Sequence, residues 1–72
     1  MNIKTKKVLI IIGGGISAYK SLDLIRRLKK NNFEIKTILT KSGKEFVTPL
    51  SITALSGYKP YENLFDISRE TE

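Results

Sequence analysis

At 72 residues the chain is one small domain at most, and with no Cys and no His it holds no disulfide, no thiolate metal site and none of the commonest general base. Its net charge of +6 invites a nucleic-acid reading, but the lysines are scattered and no stacking aromatics are interleaved with them, which argues against one. The N-terminal lysines precede an apolar core of five residues, below the roughly 7–15 of a signal-peptide core and far below the ~20 of a membrane span; the expectation is a soluble, cytoplasmic protein.

Met1 to Lys7 reads as a polar lead-in. Val8 to Ile12 is the first strand, an unbroken apolar run of the kind buried on both faces of a parallel sheet. Gly13-Gly14-Gly15 comes next and allows a tight turn with positive φ and close approach of backbone to a ligand. A helix is expected from about Ser17 to Lys30, with Ala18, Leu22, Ile25 and Leu28 at helical spacing and Leu24 widening the apolar face. Arg26, Lys29 and Lys30 fall on the wet side, and cations in the last turn suit the helix dipole. Asn31-Asn32 is a stop, because Asn tolerates the left-handed cap conformation.

Phe33 to Thr40 is the second strand, completing a unit of the size of a right-handed βαβ crossover. Ser42-Gly43-Lys44-Glu45 has the form of a capping box and predicts a short helix through Val47. Thr48-Pro49 opens a further helix that ends near Gly57. Tyr58-Lys59-Pro60-Tyr61 is a turn or extended connection, and Asn63 to Glu72 shows no clear periodicity. There is no repeat, low-complexity segment or interdomain linker.

Strand, glycine turn and helix N-terminus together make an anion site, most often for the phosphate of a nucleotide or flavin. Gly13, Gly15 and Ala18 satisfy G-x-G-x-x-A, so a dinucleotide has to be weighed. NAD asks for an acid at the end of the second strand to hold the ribose. Thr40-Lys41 stands there instead, while Glu34 lies at the opposite end of the strand. A hydroxyl and an ammonium suit phosphate better than a ribose diol. NAD is disfavoured, NADP stays open, and the weight moves to a mononucleotide such as FMN. Ser17 is a natural helix cap, Tyr19 reads as core or interface packing, and no metal site is expected.

These residues also carry a family resemblance. Gly14-Gly15-Ile16-Ser17-Ala18-Tyr19-Lys20, Thr40, Phe46-Val47-Thr48-Pro49-Leu50 and Ala54-Leu55-Ser56-Gly57 resemble, in order, the start of phosphopantothenoylcysteine decarboxylase. That enzyme is the flavoprotein half of the bifunctional coenzyme A biosynthesis protein of bacteria. The resemblance covers about Lys7 to Asp66. It implies an α/β, Rossmann-like (flavodoxin-like) parallel sheet, with residues 1–72 as the N-terminal part of one FMN-binding domain. It also implies trimer-based homo-oligomers and conversion of 4'-phosphopantothenoylcysteine to 4'-phosphopantetheine. FMN takes up and returns the electrons that make loss of carbon dioxide possible.

Carried over position by position, Gly14, Gly15, Ile16 and Ser17 surround the flavin and its phosphate, Thr40 offers a phosphate-side hydroxyl, and Phe46 lines the flavin pocket. Gly13 departs from the Thr common in the family, and the family's catalytic His is expected beyond residue 72. No catalytic residue is therefore assigned within this chain, which is read as an N-terminal piece without decarboxylase activity of its own. The alternatives are another flavoprotein of the same fold, of the prenylated-flavin-forming type, and a non-catalytic interaction fragment.

Overall fold

The computed structural model describes residues 6–70. Residues 1–5 of the expected lead-in, and 71–72 of the aperiodic end, lie outside the described residues. The elements are β1 (Lys6–Ile12), α1 (Ser17–Lys30), β2 (Phe33–Leu39), a 3-10 turn (Gly43–Glu45), α2 (Pro49–Ser56) and α3 (Leu64–Glu70). β1 begins two residues earlier than expected, because Lys6 and Lys7 pair with Phe33 and Glu34 through their backbones while their side chains stay exposed.

β1 and β2 run parallel, with Ile10 opposite Thr37 and Ile12 opposite Leu39. These side chains face α1 and α2, and Ile12, Ile35, Leu39, Ala18, Ile25 and Ile52 form the centre of the core. Small Ala18 is fully buried, which lets α1 lie close against the strands, the role its place in the glycine motif demands. Leu24, expected to widen the buried face, is instead 45% exposed.

The expectation of burial on both faces of β1 is corrected. Its residues alternate, with Ile10 and Ile12 buried but Leu9 43% and Ile11 58% exposed, because α1 and α2 contribute to the core on one side of the sheet only. On the opposite face Lys36 places its ammonium 3.7 Å from the centre of the Tyr58 ring. The Tyr58 hydroxyl donates to Glu34 at 3.3 Å, and the Glu34 charge and this bond hold the Tyr58 pKa above its ordinary value.

The outer edge of β2 is not bare. Tyr61 N donates to Thr37 O and Leu39 N to Tyr61 O, both at 2.8 Å, giving a one-residue parallel bridge between Ile38 and Tyr61. The spatial order is therefore Tyr61, β2, β1. The parallel pair joined through α1 is the Rossmann-like α/β arrangement expected. Among the described residues no strand pairs with the other edge of β1.

Helix ends obey local chemistry. Asn31 caps α1 and Asn32 takes φ +64°. Thr48 is extended, its Oγ1 accepts from Ser51 N at 3.1 Å, and Pro49 begins α2. Gly57 closes α2 at φ +87°, and Lys29 Nζ reaches across from α1 to donate to Ser56 O at 2.9 Å. The stretch read as aperiodic contains α3, whose start is held by Asp66 N donating to Asn63 Oδ1 at 3.0 Å.

The capping box does not form. Ser42 is already in the helical region and makes no side-chain cap bond, whereas a capping residue needs extended backbone. The segment instead makes a three-residue 3-10 turn that ends at Glu45, short of Val47.

One core group is unsatisfied. Thr37 is buried and its Oγ1 has no hydrogen-bond partner. A buried hydroxyl without a partner costs about 1–3 kcal/mol, and Val keeps the branched shape without the oxygen. Thr37→Val is expected to raise the unfolding free energy by about 1 kcal/mol in urea titrations. A fall in stability would show that the hydroxyl is satisfied in solution.

Candidate functional site

The carboxyl ends of β1 and β2 lie side by side, Ile12 against Leu39, and each strand leads into a loop. Residues 13–16 carry the chain from β1 to α1, and residues 40–48 from β2 to α2. In open α/β sheets, ligands bind in the crevice outside these strand ends.

The first loop is shaped by its glycines. Gly15 holds φ +91°, a conformation that side-chain-bearing residues rarely adopt. A Cβ at Gly13 or Gly15 would have no atom within 4 Å, whereas one at Gly14 would come within 2.9 Å of Ser42 Cβ and 3.6 Å of the Phe46 ring. The turn thus presses on the second loop at Gly14 and is open at Gly13 and Gly15.

Ser17 is not the cap of α1. Ile16 occupies that position with helical φ and ψ and no capping side chain. Ser17 is the first helical residue, and its hydroxyl turns back to donate to Gly14 O at 3.3 Å. The first helical donors are Ala18 N to Gly15 O and Tyr19 N to Ile16 O, each at 3.0 Å. The first turn carries no acidic residue. An uncapped helix start, free of negative charge and fronted by an open glycine turn, suits an oxyanion such as a phosphate.

Thr40 lies one residue past β2 rather than within it. Its Oγ1 donates to Ile12 O and accepts from Gly43 N, both at 3.1 Å. Phe46 reaches back to the first loop and packs edge-on against Tyr19, with ring centres 6.2 Å apart. Ile16 is 74% exposed at the mouth of the turn. Gly14 and Phe46 are thus brought together, and Tyr19 joins them.

Sequence reading missed Gly43, taken only as an interior position of a capping box. Gly43 is buried, and a Cβ there would stand 2.5 Å from Ile12 O and 2.8 Å from Leu39 Cδ1. Its signal was its place, three residues past Thr40 at the mouth of the sheet. Glu34 sits at the amino end of β2, bonded to Tyr58, so it is remote from the position a ribose would need.

A separate groove of about 460 Å³ lies beyond the outer edge of β2, between Leu39, Pro49, Leu50, Thr53 and Pro60. None of the six expected site residues lines it. Among the described residues no group of three or more His, Cys, Asp or Glu is placed to hold a metal ion. No helix among them is long and apolar enough to cross a membrane.

A parallel αβ unit with an anion cradle at its strand ends defines a nucleotide- or flavin-binding class. The sequence matches the family described as Flavoprotein over residues 1–72, and the chain belongs to that family. The coenzyme A biosynthesis bifunctional protein CoaBC of Vibrio vulnificus (strain YJ016) is 48% identical over 65 residues, covering 90% of this chain and 16% of the relative. That of Escherichia coli (strain K12) is 39% identical over 70 residues, 97% of this chain and 17% of the relative. That of Haemophilus influenzae is 41% identical over 70 residues, 97% and 18% respectively. The chain therefore spans 16–18% of the length of these curated relatives. Family membership implies a flavin cofactor.

Proposed function

We propose that this chain is the FMN-binding part of a flavin-dependent decarboxylase in coenzyme A biosynthesis, one that turns 4'-phosphopantothenoylcysteine into 4'-phosphopantetheine. The reading rests on the coenzyme A biosynthesis proteins it is similar to and, physically, on the uncapped α1 N-terminus behind an open glycine turn. Thr40-Lys41 at the end of β2, where a ribose would need an acid, favours FMN over NAD. In this reading residues 1–72 are the N-terminal portion of one flavin domain of a cytoplasmic, trimer-based enzyme.

The roles divide by geometry. Gly14 and Gly15 let the backbone come close to the phosphate, and the Ile16 and Ser17 amides point towards it from the start of α1. Ser17 Oγ, bonded to Gly14 O, fixes the turn. Thr40 secures the second loop, and Phe46, braced by Tyr19, lines the flavin pocket. When bound, the flavin would accept two electrons from the substrate, which lets carbon dioxide depart, and would return them to give the product. None of these six residues titrates near neutrality, so they bind and orient, and the acid–base group comes from outside them.

Fluorescence titration of the chain with FMN, and separately with NAD, tests the reading. Quenching of flavin emission with saturation, and no saturable response to NAD, is the expected result. Saturable NAD binding without flavin binding would overturn it.

A further inference from the structure

Tyr19 stands in the first turn of α1, directly after the fully buried Ala18, yet it is itself 55% exposed. Its backbone is fixed by the helix, with Tyr19 N donating to Ile16 O at 3.0 Å. Its ring leaves the core and lies against Phe46 of the second loop, with centres 6.2 Å apart and planes at 86°. Edge-to-face contact of this kind is an arrangement that aromatic quadrupoles favour.

Phe46 has little else to hold its ring. The backbone is anchored, since Phe46 N donates to Gly43 O at 3.0 Å and the next residue, Val47, is buried. The side chain is 38% exposed, and on its inner side it meets Gly14, which has no side chain to grip it. A half-exposed ring on a loop has several staggered rotamers open to it. Choosing one on binding a ligand costs affinity, and a ring already held in place avoids that cost.

We propose that Tyr19 is a positioning residue of the flavin site, which holds the Phe46 ring ready at the pocket wall. Its ring is the working part, because the contact is ring to ring, and its effect on the cofactor passes through Phe46. The proposal rests on the flavin reading of the glycine turn and of Phe46; the contact between the two rings does not.

A double-mutant cycle tests it. FMN affinity is measured by fluorescence titration for the unsubstituted chain, Tyr19→Ala, Tyr19→Phe, Phe46→Ala and the double variant Tyr19→Ala/Phe46→Ala. Ala is the best helix former, so α1 keeps its first turn when Tyr19 is truncated. Tyr19→Ala is expected to weaken FMN about fivefold, and Tyr19→Phe restores the affinity. In the Phe46→Ala background, Tyr19→Ala is expected to cost nothing further, because the ring it positions is gone. An equal loss in both backgrounds would overturn the proposal, since Tyr19 would then act on the fold or the flavin directly. So would an unchanged affinity in Tyr19→Ala, or a Tyr19→Phe protein as weak as Tyr19→Ala.

The ring protons of Phe46 give a readout that needs no flavin. With the phenylalanines isotopically labelled, the Tyr19 ring current is expected to displace the Phe46 resonances in the unsubstituted chain and in Tyr19→Phe. In Tyr19→Ala they return towards the values of a free side chain. Should the unsubstituted chain bind no FMN, the proposed function fails, and the ring spectrum alone judges the brace. Phe46 resonances that do not respond to Tyr19→Ala would overturn the brace.

Discussion

Gly15→Ala is expected to lower flavin affinity by about tenfold. The cause is conformational and not steric, because a Cβ at Gly15 has nothing within 4 Å to strike. What it meets is its own backbone at φ +91°, where non-glycine residues carry about 1–3 kcal/mol of strain. The turn has an escape from that strain: φ can move back to negative values, since no side chain caps α1 to resist it. Relaxation of that kind swings the Ile16 and Ser17 amides away from a bound phosphate.

Gly57→Ala is the matched control for this prediction. Gly57 has nearly the same backbone, φ +87°, but closes α2 beside the Lys29 ammonium. It should lose a comparable amount of stability while the folded protein keeps its flavin affinity. Parallel thermal melts and flavin titrations of the two variants separate the effects. Equal flavin affinities in the two variants would mean that the turn at Gly15 does not bind the cofactor.

Much of this architecture was legible because local and long-range signals agreed. The bounds of α1 emerged correctly from an apolar stripe, a glycine turn before it and two asparagines after it, the second of which sits at φ +64°. Thr48, Pro49 and Gly57 likewise bound α2 by backbone chemistry that needs no tertiary context. The failures lie where tertiary contacts decide. Ser42 and Glu45 have the spacing of a capping box, but Glu45 N donates to the Ser42 backbone oxygen at 3.2 Å rather than to its hydroxyl, and the segment closes as a 3-10 turn. α3 has too few turns for a stripe to show, and its large apolar residues Leu64 and Phe65 are adjacent and exposed. Only the Asn63 cap betrayed it.

The candidate site divides in the same way. The glycine turn was readable, because glycine's permissiveness is a property of the residue itself. The meeting of Gly14 with Ser42 and Phe46, and the bonds that Thr40 makes to Ile12 and Gly43, depend on how far the second loop folds back over the first. No spacing in the sequence encodes that distance.

The β1 strand supports the second large prediction. A continuous run of Val8, Leu9, Ile10, Ile11 and Ile12 is suited to burial on both faces, yet Leu9 and Ile11 are 43% and 58% exposed. Among the described residues one edge of the same strand also has no pairing partner. Apolar surface and unpaired backbone amides on one strand are the combination that templates association between chains. The lysines at the start of β1, Lys6 and Lys7, are exposed and guard only that end of the edge.

The 72-residue chain on its own is therefore expected to self-associate as its concentration rises, and to melt over a broad range. Burial is worth about 25 cal/mol per Å² of apolar surface, so covering Leu9 and Ile11 rewards any strand that pairs with β1. Replacing both with Lys removes that reward and adds repulsion between copies, while Ile10 and Ile12 keep the core face intact. Light scattering across a concentration series should show growing particles for the unsubstituted chain and a far smaller rise for the double variant. If instead the unsubstituted chain stays monomeric at every concentration and unfolds in one sharp transition, the exposed face of β1 is not adhesive, and α1 and α2 alone suffice to stabilise the sheet.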